Sequence, residues 1–387
     1  MTMAITGFWF GGIVDHHKKK SVMIGSGIAT LISYILSLSL YFYADPTLFK
    51  TVASPTLWIF LFLVLSGVIA GNIRGITLPT LTTILVNEKD RDKANGMSGT
   101  VMGISFALAS VFSGLVLASY GIAGVLIIGI IITIIALIHL HFMDIKEKGI
   151  VHTAEKPKQL DIPGTMKIVK AIPGLFGLIM FTTFNNFLGG VFMALMDAYG
   201  LSLVPLKVWG TLWGFLSLGF IVGGLYIAKY GLGKNPLKTL LYVNIILWID
   251  CIFFTIQPSI VLLSAGMLLY VCLVPFVEAI EHTIIQKVVA PERQGRVFGV
   301  AQSIESAASP ISSFAIGPIA QLVFIPFMTT GAGVELIGDW YGVGQGRGLA
   351  LVFSLAGIIG LIITIFALRS KAYKLLSKHY ENEPAKS

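Results

Sequence analysis

Gly11-Gly12-Ile13-Val14-Asp15-His16-His17-Lys18-Lys19-Lys20 is a small-residue helix end that runs into an acid and then a basic turn. Residues 2–14 before the turn are apolar and Gly-rich. A span of the hydrocarbon core needs about 20 apolar residues, so this run is too short to cross alone. A secretory signal places its positive charge ahead of the apolar run, and here the charge follows it. The stretch reads as the last part of a transmembrane helix whose beginning is expected upstream of Met1.

Composition extends that reading outward. Hydrophobic residues make up 55% of the 387 and charged residues 12%, with a mean hydropathy of +0.86, whereas a soluble domain carries about 25% charged residues. The net charge of +8 sits in short loops between apolar runs, which is the pattern of membrane orientation and not of a nucleic-acid face. Cys251 and Cys272 both lie inside apolar runs, so no disulfide framework or zinc set is expected. No metal and no cofactor are called for. The partner expected on these grounds is the lipid bilayer.

Ten complete spans can be drawn by length and apolarity: 22–43, 57–86, 94–118, 123–142, 174–197, 204–228, 237–256, 260–286, 297–327 and 349–367. With the His16–Lys20 turn on the cytoplasmic side, the alternating inside segments and the tail hold 23 of the 27 basic residues. Only Lys50, Lys207 and Arg347 fall outside, and Arg74 falls within the membrane. The positive-inside rule is met at every inside loop, which implies a multi-pass cell-membrane protein with a cytoplasmic C-terminus.

The connection Met143–Pro173 is long, charged and Pro/Gly-bearing, and it divides the chain in two. The expected organisation is an N-terminal lobe over 1–145, a cytoplasmic linker over 146–172, a C-terminal lobe over 173–370 and a cytoplasmic tail over 371–387. The lobes echo each other. Gly11–Asp15 before its basic turn recurs as Gly224-Leu225-Tyr226-Ile227-Ala228, and Asp92-Lys93-Ala94-Asn95-Gly96 recurs as Gly295-Arg296-Val297-Phe298-Gly299. Parallel repeats of this kind mark transporters.

These residues resemble the major facilitator superfamily. Its hallmark Gly-x-x-x-Asp-Arg-x-Gly-Arg-Arg loop stands here as Gly11 to Lys20, with Gly11, Asp15 and the basic end kept, His16 in place of the Arg and Lys18 in place of the second Gly. Pro291–Gly299 is similar to the twelve-helix exporters of drugs, macrolides and siderophores. The resemblance implies an all-α integral membrane fold of two pseudo-symmetric helical lobes. Ten complete transmembrane helices plus a partial one would correspond to the family's helices 3 to 12 and the end of helix 2. It further implies a bacterial secondary active transporter acting as a monomer, with a small-molecule substrate and protons as partners, most simply a proton-coupled exporter of small amphipathic compounds working by alternating access. An importing facilitator or a truncated, non-transporting remnant are the alternatives, and an enzyme is not expected.

Candidate residues follow from charge and depth. The hallmark loop reads as a conformational latch made by Gly11, Asp15, Lys18, Lys19 and Lys20 with Arg293 and Arg296, in which Asp15 caps a neighbouring helix. The second copy has Ala228 in place of the acid, which makes a latch there doubtful. Ionisable groups inside spans are costly and mark function. Glu278, at a depth on the order of 15 Å, and Glu281 and Glu305, on the order of 10 Å deep, are the candidates for proton coupling. Glu281 reads equally as a partner of Arg293 or Arg296, and Glu305 as a hydrogen-bonded group beside Ser306 and Ser309. The family's cavity helices would place Arg74 opposite Glu278 and Glu281, with Asn72, Asn185 and Asn186 as further cavity candidates or as interhelical glue.

Other chemistry is weakly represented. The span carrying Gly103–Gly114 keeps small residues but has no proline, unlike the Gly- and Pro-rich antiporter motif of related exporters, which keeps import open. His139-x4-Asp144 is too short a pattern to identify an acyltransferase. Gly342–Gly348 follows no strand, and no Walker motif exists for ATP.

Overall fold

The computed structural model describes residues 2–147 and 161–382, and every regular element among them is helical. The helices are α1 (Thr2–His16), α2 (Lys19–Tyr43), α3 (Pro55–Leu85), α4 (Arg91–Phe142), α5 (Ile162–Ala171), α6 (Leu175–Leu203), α7 (Leu206–Leu216), α8 (Leu218–Tyr230), α9 (Pro236–Phe253), α10 (Ile260–Val288), α11 (Gln294–Ile319), α12 (Ile325–Thr329), α13 (Ala332–Tyr341), α14 (Gln345–Arg369) and α15 (Lys371–Asn382). Their starts follow local chemistry. Pro55 and Pro236 occupy first-turn positions whose missing N–H costs nothing. Asn235 caps α9 by accepting from Lys238 N at 3.0 Å, and Ser259 caps α10 by accepting from Leu262 N at 3.3 Å.

Among the described residues nine helical segments are long and apolar enough to cross a membrane. The tenth expected span, 94–118, is the first arm of α4. The expected loop between it and 123–142 is replaced by a single residue, Gly121, at φ 63° and ψ −163°. Only glycine adopts that region without strain, so the chain reverses there with no loop. The expected span 204–228 is the pair α7 and α8, adjoining at Ser217. Near the far end of the 297–327 span, Pro318 precedes a π-helical turn over Ala320–Phe324, as expected where a proline interrupts the hydrogen-bond ladder.

The stretch expected as a linker is partly structured. Residues 148–160 lie outside the described residues, but 162–171 form α5, capped by Asp161 on Gly164 N at 2.8 Å, with Val169 fully buried. The tail folds as α15. Its Ser377 hydroxyl accepts from Asn235 Nδ2 at 2.7 Å, and Lys287 Nζ stands 4.3 Å over the Tyr380 ring while meeting Glu88 at 3.5 Å. Burial pushes the Tyr380 hydroxyl up to about 12, so the ring faces the ammonium as a neutral π partner.

The C-terminal lobe has a dense core in which Phe192 stacks on Phe353 with ring centroids 5.0 Å apart, beside Trp248 and Tyr199. The N-terminal lobe is different. Only 6% of the apolar window in the second arm of α4 is buried, against 50% in α6, so its apolar surface is suited to lipid.

The two lobes meet at the end that carries the basic loops, and the sequence echoes explain how. The first copy of one motif packs on the second copy of the other. A Cβ at Gly11 would come within 2.5 Å of Gly295 O and 2.9 Å of Arg296 Cα, and Gly7 lies equally close to Ser303. In the mirror crossing, a Cβ at Gly96 would meet the Ile227 side chain at 2.5 Å, and Gly224 abuts Thr100. Small residues thus let α1 approach α11, and α4 approach α8, to backbone contact.

Candidate functional site

Helix ends decide the polar chemistry at this junction. The first N–H groups of α11 have no intrahelical partner, and the carboxylate of Asp15 accepts two of them, Gly295 N at 2.7 Å and Arg296 N at 3.0 Å. It also pairs with Arg296 Nε at 3.1 Å, with both residues 6% exposed. Negative charge at a helix N-terminus is favoured by the macrodipole. Lys19 is itself buried, within electrostatic reach of Asp15, Glu147 and Glu292.

The other expected members of the latch sit differently. Lys20 Nζ donates to His141 O and Met143 O at the end of α4, and Glu147 accepts from the N–H groups of Lys19 and Lys20, so this part of the turn ties together its own lobe. Lys18 and Arg293 are exposed, and Arg293 is not in the Asp15 ion pair. The second crossing, where Ala228 stands in place of the acid, has a different polar contact. Asp92 Oδ2 accepts from Leu232 N at 3.0 Å, so the carboxylate is supplied by α4 instead of α8.

Between the two crossings lies a buried amide network. Asn95 Nδ2 donates to Thr283 Oγ1 and Gln286 Oε1, each at 2.9 Å, and Gln286 Nε2 donates to Pro79 O at 2.8 Å. Gln294 Nε2 reaches Gln286 O at 3.0 Å while its Oε1 accepts from Thr83 Oγ1 at 2.7 Å. Arg91 completes it by donating to Thr83 O at 2.9 Å. Every bond that links α3 or α4 to α10 or α11 here joins one lobe to the other.

Beyond this closure opens a cavity of about 500 Å³ between the lobes. Glu278, Glu281, Glu305 and His282 all line it, and among the described residues no lysine or arginine does. Glu278 is exposed to the cavity space, while Glu281 is only 8% exposed. Glu281 and Glu305 lie close enough to interact electrostatically, and Thr182 Oγ1 donates to Glu305 Oε1 at 2.5 Å.

Asn185 and Asn186 line the same cavity; Asn185 Nδ2 donates to Asn244 Oδ1 at 2.8 Å, and Asn186 Nδ2 to Thr182 O at 3.1 Å. Arg74 and Asn72 do not. Arg74 Nε turns to Ser26 Oγ at 3.3 Å on α2, and α3 faces the cavity with Gly75 and Ile76 instead. An adjacent residue on a helix points about 100° away, so the expected pairing of Arg74 with Glu278 and Glu281 is replaced by an intralobe bond. The Asn72 amide nitrogen is buried without a partner among the described residues.

Sequence reading missed Gln302, whose amide lies against Gly75 across the lobe boundary, and Trp248. The indole Nε1 of Trp248 and Oδ1 of Asn185 are buried without a hydrogen-bond partner among the described residues, and both residues line the cavity with other atoms. An indole inside an apolar run gives no sign from its sequence of facing a cavity.

The sequence profile of the Major Facilitator Superfamily matches residues 1–313. Macrolide efflux protein A of Streptococcus pyogenes is 24% identical over 320 residues, covering 80% of this chain and 75% of that protein. The protein of the same name from Enterococcus faecalis is also 24% identical, over 80% of this chain and 94% of its own. Among solved structures, the human organic anion transporter MFSD10 (TETRAN) superposes with a TM-score of 0.67 at 13% identity, covering 94% of this chain and 80% of that one. A bacterial homologue of the iron transporter ferroportin in an outward-facing state gives 0.67 at 14% identity, over 95% and 88%. With two helical lobes meeting at glycine crossings and a profile match over most of its length, the chain belongs to the Major Facilitator Superfamily.

Proposed function

We propose that this protein is a secondary active exporter of small amphipathic compounds, driven by protons and working by alternating access in a bacterial cell membrane, with the basic loops and α15 cytoplasmic. The observation that carries the reading is the Glu281–Glu305 contact with Thr182 on the wall of the interlobe cavity. A buried carboxyl pair is expensive in a membrane unless it works. As the lobes rock, the pair can hold a proton when enclosed and release it when water reaches the cavity. The relatives named as macrolide efflux proteins support export as the direction. In this conformation the cytoplasmic side is the closed one, and the cavity awaits substrate release or proton entry from outside.

The test is transport of a macrolide in proteoliposomes under an imposed pH gradient. Glu281→Gln and Glu305→Gln are expected to abolish uphill movement, and Glu278→Gln to do the same while substrate binding is largely retained. Wild-type rates in all three variants would place the coupling elsewhere. Movement down the substrate gradient only, indifferent to pH, would favour a facilitator, for which the proline-free stretch Gly103–Gly114 speaks.

A further inference from the structure

A second chamber of about 460 Å³ adjoins the first, the two sharing Gly189 and Tyr270 on their walls. Its chemistry is unlike that of the carboxylate cavity. Phe106, Trp213 and Phe220 supply aromatic rings, and Met193 and Met267 supply flexible thioethers. Phe106 and Phe220 come from opposite lobes, their ring centroids 6.2 Å apart. Among the described residues the lining holds a single acid, Asp197, and no lysine or arginine. Asp197 is exposed, its Oδ1 accepting from Trp209 Nε1 at 2.8 Å, and no ion pair among the described residues includes it.

Aromatic faces attract cations, most strongly where water is excluded, and methionine adapts to hydrophobic bodies of different shape. A carboxylate fixed by an indole N–H at the edge of such a chamber completes a receptor for an apolar body bearing one positive charge. Its distance from the proton carboxylates matters equally. Thr182, which holds Glu305, lies fifteen residues before Asp197 on α6, so the two points are about 22 Å apart along the helix. At that separation a cation held at Asp197 makes no direct contact with Glu305.

We propose that the aromatic chamber binds hydrophobic organic cations with their charge at Asp197, so that substrate charge and transported proton use separate carboxylates. The assignment rests on the transport reading, because it takes the interlobe space as the substrate path, but binding tests it without transport.

The experiment measures binding of tetraphenylphosphonium and of tetraphenylborate, ions of one shape and opposite charge, to the purified chain in nanodiscs by equilibrium dialysis. The cation is expected to bind at least tenfold more tightly. Asp197→Asn is expected to weaken phosphonium binding about tenfold while borate changes less than twofold, and Asp197→Glu to restore it. Phe106→Leu with Phe220→Leu is expected to weaken phosphonium binding about fivefold. Glu278→Gln and Glu305→Gln, which lose transport, are expected to keep phosphonium affinity within twofold. Equal affinity for the two ions overturns the proposal, as does wild-type binding by a folded Asp197→Asn protein or by the double Phe variant. Loss of phosphonium binding in Glu278→Gln or Glu305→Gln also overturns it, by placing the cation among the lower carboxylates. Charge-selective binding in a chain that transports nothing upholds the chamber and defeats only the transport reading.

Discussion

Asp15 reaches from the end of α1 in one lobe to the first turn of α11 in the other, and its carboxylate holds Arg296 by both backbone N–H and guanidinium, at 3.0 and 3.1 Å. Both side chains are buried, so this is no surface ion pair of negligible worth. Any motion that opens the lobes at this end must break it.

Asp15→Ala is therefore expected to destabilise the closed state by about 3–5 kcal/mol, the cost of leaving one buried charge unpaired. A cysteine placed at Ser303, which is 1% exposed beside Gly7, should become faster to label with a water-soluble maleimide. Unchanged labelling and an unchanged melting midpoint would remove the latch from the mechanism.

Gly11→Val should keep the lobes apart, because the new side chain has backbone atoms of Gly295 and Arg296 in its way and backbone cannot swing aside. Gly25→Ala is the control, since nothing lies within 4 Å of its Cβ position. Transport by Gly11→Val equal to that of the control would show that the close approach is dispensable.

Gln286→Ala leaves Asn95 and the Pro79 carbonyl short of partners in a 1% exposed setting, at a cost of about 1–3 kcal/mol. A double-mutant cycle with Asn95→Ala should return a coupling of about 0.5–3 kcal/mol in thermal or denaturant melts. Simple additivity of the two losses would mean that the amides do not act as one network.

Under the proposed coupling Glu281 and Glu305 share one task, so the Glu281→Gln/Glu305→Gln double variant should transport no more slowly than the worse single variant, within about twofold. Uphill flux in proteoliposomes measures this. Multiplying losses would assign the two carboxyls independent tasks.

Membrane orientation is checked by cysteines at Lys234 and Glu335 in intact cells, with the native Cys251 and Cys272 replaced. The first should react only after the membrane is permeabilised and the second without it, because the basic loops stay inside. The opposite pattern would invert the topology.

Much of the architecture was legible in the sequence because membrane helices obey one-dimensional rules. Apolar length marks a span, and the repeated Gly11–Asp15 and Gly295–Gly299 motifs mark where helices touch. Asp15 stood out in the sequence as an acid between a small-residue helix end and a basic turn, and it caps the first turn of α11. What faces what was decided by tertiary structure. Arg74 and Gly75 are neighbours in the chain, yet one bonds Ser26 within its lobe and the other fronts the cavity, because each helical residue turns its side chain by about 100°. Asp92 replaced the missing acid at the second crossing from the partner helix, a substitution that a motif read along one strand of sequence cannot register. The proximity of Glu281 and Glu305 and the aromatic chamber beside Asp197 likewise exist only where helices far apart in sequence are packed together, since such groupings need side chains within a few ångströms of each other, and order along the chain does not specify that distance.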